Sequence, residues 1–454
     1  KGDHCMNSEM FREYDIRGIA GKDMTETDVE LIGKGIGTFL NQNNCSRITV
    51  GRDCRISSDS YVKRLIEGLM STGCRVTDIG ICPTPVLYFS IHHLGQEGGV
   101  MVTASHNPAE YNGFKMCLGS GSIHGEDIQK IRNIIENKTF LKATGNLEAA
   151  NVLPAYQAFV QENITVERRL RIAVDAGNGT AGVVAVPIMK TMNLEIHDIF
   201  CEMDGTFPNH EADPTVLKNM KDLIALVQEK KLDVGIGYDG DGDRIGVVDE
   251  KGEIVYGDKL MILFSREILS RKPGATFISE VKCSQTLYDD IEKNGGRPIM
   301  WKTGHSLIKK KMKEEGAELA GEMSGHIFFA DRYLGYDDAT YASCRLLEIL
   351  SRTDKPLSAL LSDVPKTFTT PEIRVECPDD RKFAVVKKIT AYFKDRYNVI
   401  DIDGVRVLFG DGWGLVRASN TQPALVLRFE AASQARLTEI QAMMESVLAS
   451  IQEN

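Results

Sequence analysis

The sequence predicts an α/β protein: three related α/β units, each a mixed sheet with helices on both faces, followed by a smaller α+β unit. Three observations predict it. Strand-like and helix-like segments alternate through most of the chain. The alternation restarts twice, which hints at internal repetition although residue identity between the units is weak. Beyond residue 365 it gives way to a different pattern. The length of 454 residues suits roughly three or four domains of about 100–150 residues each.

The first unit is placed at 1–148. Arg47–Gly51 (RITVG) reads as a buried strand, and Ser58–Ser71 has apolar residues at helical spacing before Gly73. Cys74–Ile79 and Gly99–Thr103 read as strands, and Glu126–Glu136 as a helix. The second unit, 149–252, opens with the strand Arg171–Asp175 running into the glycine-rich turn Ala176–Thr180. In it, Asp233–Gly237 and Ile245–Asp249 flank an acidic loop. The third, 253–365, has strands at Thr276–Glu280 and Arg297–Trp301, then a helix carrying Lys309, Lys310 and Lys311. Pro365–Cys377 reads as a linker into the last unit, 366–454. There Lys387–Tyr397 and Ala435–Gln452 read as helices, and Gly414–Ala418 and Ala424–Glu430 as strands.

Hydrophobic residues make up 42% and charged residues 26%, ordinary for a globular chain able to bury several cores. The net charge of −10 argues against broad nucleic-acid or anionic-membrane binding, while leaving room for a local Arg/Lys cluster that holds phosphate. Ten cysteines without a C-x-x-C pair are expected to be free thiols in a reducing cytoplasm. The opening KGDHCMNSEMFREYD has no apolar core of signal-peptide length, and no stretch reaches 18 uninterrupted apolar residues.

Asp239-Gly240-Asp241-Gly242-Asp243-Arg244 is the most informative stretch. Alternation sets three carboxylates on one side of a tight turn, where they repel unless a cation neutralises them, and hard oxygens suit Mg²⁺ or Ca²⁺. A calcium-binding helix–loop–helix is a competing reading, with Glu250 at position twelve, but position six is Arg244 instead of glycine and the flanks read as strands. A solvated acidic turn is the plain alternative.

Thr103-Ala104-Ser105-His106-Asn107-Pro108 follows a buried strand, so Ser105 stands at a sheet edge, where α/β ligand sites lie. The loop is no G-x-S-x-G elbow; a simple polar turn stays open. Lys115 follows ten residues later and can return a cation to the same place. In Gly321–His326 (GEMSGH), Glu322 and Ser324 offer acceptors and donors for sugar hydroxyls. A lone histidine such as His326 is more often structural than functional. Arg417–Thr421 (RASNT) lies between two strands and suits a phosphate that is not transferred, or is an ordinary hairpin turn.

Together these segments resemble one family, the α-D-phosphohexomutases. TASHNP resembles its phosphoserine loop, DGDGDR its metal loop, GEMSGH its sugar loop and RASNT its phosphate loop, one per domain and in the family's order over essentially the whole chain. Phe11–Gly18 (FREYDIRG) is similar to the family's entry segment and brings in Tyr14 and Arg17. GEMSGH and Trp301–Met312 are similar to the bacterial phosphomannomutase/phosphoglucomutase subgroup; phosphoglucosamine mutases usually carry Gln where Met323 stands.

The resemblance implies four domains around a central cleft, with the last closing over substrate. It implies interconversion of hexose 1- and 6-phosphates of mannose or glucose through a hexose 1,6-bisphosphate. Ser105, Lys115, Arg244, His326 and Arg17 become the expected catalytic residues, with Lys115 and His326 both open as general base. Ser105, Asp239, Asp241 and Asp243 become the expected Mg²⁺ ligands. Tyr14, Lys282, His305, Glu322, Ser324, Arg417, Ser419, Asn420 and Thr421 become the expected substrate contacts. Glucose 1,6-bisphosphate is the expected activator. The expected partners are small hexose phosphates, with neither nucleic acid nor membrane, and the chain is expected as a monomer or weak homodimer. A phosphoglucosamine mutase, a phosphatase and a non-catalytic sugar-phosphate sensor are the alternatives.

Overall fold

A computed structural model describes residues 6–453. Part of the opening segment, with Cys5, lies outside the described residues.

The first three units share one strand arrangement. In the first, Arg47–Arg52 has parallel neighbours on both sides, Arg75–Ile81 and Gly98–Val102, and the latter pairs antiparallel with Tyr111–Leu118. In the second, Leu170–Asp175 lies between Leu194–Ile199 and Val234–Tyr238, which pairs antiparallel with Ile245–Asp249. In the third, Thr276–Glu280 lies between Arg297–Trp301 and Leu319–Gly321, which pairs antiparallel with Ile327–Phe329. The repetition that was faint in residue identity is therefore plain in topology. Sheet order depends on which positions are buried, and many apolar residues satisfy that requirement equally. The fold class is the one expected.

Extra strands extend the first sheet: Ile16–Ile19 pairs with Tyr111–Leu118 at one edge, and Asn146–Ala149 pairs with Arg75–Ile81 at the other. The central strands are buried on both faces, as Gly98–Val102, Val234–Tyr238 and Ile245–Asp249 show along their whole length.

One continuous core joins the three sheets, running from Ile79 through Ile172, Val247 and Phe277 to Leu357. The helix Ala339–Ser351 is its hub. It is buried on nearly every side and packs on strands of the second sheet as well as its own unit. Its Arg345 is 1% exposed and reaches Asp331 at 2.8 Å and Glu267 at 2.9 Å.

The last unit is an antiparallel sheet with helices Asp379–Lys394 and Gln434–Glu453, and it has a core of its own. Two sequence readings are corrected there. The segment read as a linker holds two short strands, Phe368–Thr369 and Ile373–Glu376, both paired to Ala424–Ala431. The helix read as Lys387–Tyr397 begins at Asp379, behind Pro378 and with two acidic residues in its first turn, and ends at Lys394. Those are ordinary helix-start signals, and Asn398–Ile400 takes up strand geometry directly afterwards.

Arg345→Leu should lower the free energy of unfolding by about 3 kcal/mol, because it leaves buried carboxylates short of a cation. Urea unfolding measures this; a loss below about 1 kcal/mol would show that solvent screens the cluster.

Candidate active site

Each repeat turns its third strand into its fourth through a short loop, and these three loops meet. They are residues 103–110, 239–244 and 322–326. The hairpin 419–423 of the last unit and the entry segment complete the ring.

Ser105 is buried and sits at φ +53°, a left-handed conformation unusual for a residue with a side chain. Its Oγ donates to Asp239 Oδ2 at 2.8 Å, and His106 Nδ1 lies 3.2 Å away. His106 is held well below the usual imidazole range, first by burial and then by Arg244 and Arg17, so a neutral ring faces the hydroxyl. The loop is held from beneath by Arg55. Its guanidinium donates to four main-chain carbonyls: Ser105 at 3.0 Å, Asn107 at 2.6 Å, Pro108 at 2.5 Å and Tyr111 at 3.1 Å. Asp53 accepts from Arg55 Nε at 3.1 Å and from Thr103 Oγ1 at 2.8 Å, and Thr103 Oγ1 in turn accepts from Ser105 N–H at 3.0 Å. Arg17 donates to Asn107 Oδ1 at 2.6 Å.

The carboxylates of Asp239, Asp241 and Asp243 are fully buried and offer ligand atoms within 4.8 Å of one another. Asp239 Oδ1 accepts from the main-chain N–H groups of Asp243 at 3.0 Å and Arg244 at 3.1 Å. Lys115 Nζ reaches Asp241 at 2.7 Å and Asp243 at 2.5 Å. Burial alone would lower the Lys115 pKa, but the surrounding carboxylates more than reverse this and raise it. Burial pushes Asp239 well up, with the charges of Asp243 and Asp241 adding to the effect; burial also works against Asp241, but Lys115 holds it down. Asp241 Oδ1 and Asp243 Oδ1 are buried with no hydrogen-bond partner. Crowded hard oxygens with unmet acceptors fit Mg²⁺. Gly240 packs directly on the serine loop: a Cβ there would lie 2.5 Å from the Ser105 carbonyl oxygen.

Arg244 and His326 form an antiparallel bridge between the second and third loops, and Arg244 Nε donates to His326 Nε2 at 3.0 Å. His305 stacks on His326 with ring centres 5.5 Å apart, and burial holds it well below the usual imidazole range. Glu322 is buried, which raises its pKa, and it accepts from Gly304 N–H at 2.8 Å. Ser324 is half-buried on the same loop. Lys282 reaches Glu372 at 3.1 Å.

Tyr14 ties the entry segment to both later units. Its hydroxyl donates to the Thr303 carbonyl at 2.9 Å and accepts from Asn420 Nδ2 at 2.6 Å. Arg12 donates to the Thr421 carbonyl at 2.5 Å. Arg417 donates to Asp403 at 3.0 Å, and Ser419 Oγ accepts from the N–H of Gln422 at 3.1 Å. The expected residues on the serine, acidic and Glu322–His326 loops are thus brought together, with Arg17, Lys115 and His305 in contact with them, while Lys282 pairs with Glu372, Arg417 with Asp403, and Glu250 accepts from Ser358. Sequence reading missed Asp53, Arg55, His106, Thr84 and Asp337. The first two stand in Gly51-Arg52-Asp53-Cys54-Arg55, directly after a buried strand, a position that α/β sites commonly use.

Four family models match the chain in order: phosphoglucomutase/phosphomannomutase alpha/beta/alpha domains I, II and III at residues 8–142, 154–252 and 256–368, and the C-terminal domain at 372–447. A phosphomannomutase/phosphoglucomutase of Pseudomonas aeruginosa is 44% identical over 445 residues, 98% of this chain and 96% of that protein. A phosphoglucomutase of Neisseria meningitidis is 43% identical over 447 residues, 97% of each. The crystal structure of a phosphoglucomutase/phosphomannomutase family protein from Burkholderia thailandensis superposes with a TM-score of 0.94 at 41% identity, covering 99% of this chain and 98% of that one.

Arg55→Met would leave Asp53 and four carbonyls without their cation. Amide hydrogen exchange across residues 103–111 should rise about 100-fold, while the strand Leu170–Asp175 keeps its protection. An unchanged rate in the loop would show that Arg55 does not hold it.

Proposed function

The chain belongs to the phosphoglucomutase/phosphomannomutase family, and on that premise we propose that it interconverts hexose 1-phosphate and hexose 6-phosphate, of mannose and glucose, through a phosphorylated Ser105. The observation that carries this is the Ser105 hydroxyl set 2.8 Å from Asp239, beside two further buried carboxylates. A hydroxyl in that place serves as a phosphoryl carrier only if cations hold the charge.

Asp239, Asp241, Asp243 and an oxygen of the phosphoserine would hold Mg²⁺, which when bound supplies charge compensation for the phosphoryl oxygens. Arg244 stabilises the same oxygens as transfer proceeds, and Arg17 steadies the loop through Asn107. Proton balance requires one proton to leave the attacking sugar hydroxyl and one to reach Ser105 Oγ as its bond to phosphorus breaks. Lys115 is suited to both: as an ammonium it gives its proton to Oγ, then regains one from the sugar. Its carboxylate neighbours favour its protonated form at either end of the exchange.

The bisphosphate then turns so that its other phosphate faces Ser105. Glu322 and Ser324 hold hydroxyls in both orientations. Arg417, Ser419, Asn420 and Thr421 hold the idle phosphate, and Tyr14, His305 and Lys282 line the path. Glucose 1,6-bisphosphate acts as activator by phosphorylating Ser105. The nine cysteines among the described residues are free thiols, which suits a reducing cytoplasm. The protein works as a monomer or weak homodimer on small hexose phosphates.

Ser105→Ala should reduce kcat at least about 1,000-fold with the fold intact, measured as conversion of mannose 1-phosphate. Turnover near that of the wild type would sink the covalent route. Asp241→Asn should cut Mg²⁺-dependent transfer about 100-fold while hexose-phosphate affinity stays within about threefold. An unaltered Mg²⁺ titration in that variant would place the metal elsewhere.

A further inference from the structure

Behind Arg244 and His326 stands a carboxylate that no motif marks. Asp337 is fully buried; its Oδ2 lies 3.0 Å from His326 Nδ1 and its Oδ1 lies 3.2 Å from Lys309 Nζ. Its main chain bridges to Phe328, and the next residue's N–H donates to the Ile327 carbonyl at 3.2 Å. The carboxylate is thereby fixed to the strand that follows His326. Lys309 is itself buried, with its ammonium 4.2 Å from the centre of the Tyr88 ring. It supplies the positive charge that allows Asp337 to stay ionised there. Asp243 Oδ1 is a more distant neighbour of the same imidazole nitrogen, at 3.7 Å.

On its far side the imidazole is hydrogen-bonded: Nε2 accepts the Nε–H of Arg244 at 3.0 Å. A neutral imidazole carries one N–H. If Nε2 accepts, the proton sits on Nδ1, 3.0 Å from Asp337 Oδ2, where the carboxylate's charge favours it although the two close no hydrogen bond in this structure. With the proton on Nε2, two N–H groups would face each other and the guanidinium would have to turn away. Among the described residues the two terminal nitrogens of Arg244 make no hydrogen bond, so the direction set through Nε decides where four N–H groups point.

We propose that Asp337 is a positioning residue for phosphoryl transfer: through His326 it fixes the tautomer that holds Arg244, and so aims the guanidinium at the oxygens of the transferring group. The relay rests on the mutase reading above. It also removes His326 as a base while Arg244 occupies its Nε2, which leaves proton handling to Lys115. Lys309 belongs to the relay as the counter-charge of Asp337.

The test has two arms. In protein labelled with ¹⁵N-histidine, the His326 resonances are assigned by their loss in His326→Gln. The Nδ1–H tautomer is expected in the wild type and the Nε2–H tautomer in Asp337→Asn, whose amide can donate to Nδ1. An Nε2–H tautomer in the wild type overturns the relay. This arm uses the free protein, so it stands or falls apart from whether the chain turns over a hexose phosphate. In the second arm, Asp337→Asn should lower kcat about 10- to 100-fold with KM within about threefold. In an Arg244→Ala background the same substitution should cost less than about twofold. Equal losses in both backgrounds would mean that Asp337 acts by another route. Should Asp337→Asn fail to fold, His326→Gln enters the same cycle, and its loss must likewise shrink once Arg244 is gone.

Discussion

Three buried carboxylates on one six-residue loop are the constraint on which the rest of the site depends. Like charges crowded within 4.8 Å and shut away from water are tolerated only if cations and N–H groups surround them. The first repeat sends Lys115 between Asp241 and Asp243, and the helix start at Thr84 gives Asp241 a hydroxyl at 2.6 Å. Two main-chain N–H groups meet Asp239. Even then two carboxylate oxygens keep unmet acceptors. The acidic loop therefore dictates which elements of other units must approach it, and the Ser105 hydroxyl is one of them.

The triple repeat gives this convergence an economical origin. Each of the first three units makes the same turn between its third and fourth strands, and a shared core fixes the units against one another. One structural position, used three times, carries the hydroxyl loop, the acidic loop and the Glu322–His326 loop. The last unit has its own core and meets the third unit through buried Arg406 on the carbonyls of Val281 and Cys283, Gln285 on Glu430, Thr303 on Asp403, Lys282 on Glu372, and Trp413 and Leu415 on Val281, and it meets the entry segment through Arg12 and Tyr14. Links of that kind can open without disturbing the shared core.

Much of this was legible in the sequence because it is local. Buried strands appear as apolar runs, and the acidic loop states its own electrostatic problem in six residues. What the sequence concealed is long-range. Arg55 meets the serine loop 50 residues onward; its place after a buried strand hints at a site, but its partners there cannot be read from its own neighbourhood. The helix Ala339–Ser351 is buried on nearly every side yet contains Arg345 and Glu348, which reach Asp331, Glu267 and Arg332 outside it. Asp337 gains its meaning from His326 and Lys309, both brought by other elements. The short strands within 365–377 were hidden because edge strands of two and four residues carry too little periodicity to read.

The proposed reaction would require a site that treats two ends of one sugar alike, with a reactive phosphate position beside Ser105 and a passive one in the last unit. The most direct measurement is ³¹P NMR of the purified protein with mannose 1-phosphate, Mg²⁺ and a trace of glucose 1,6-bisphosphate. The account predicts a growing 6-phosphate signal at constant total sugar phosphate. Inorganic phosphate accumulating in its place, or no change in the 1-phosphate signal, would contradict it.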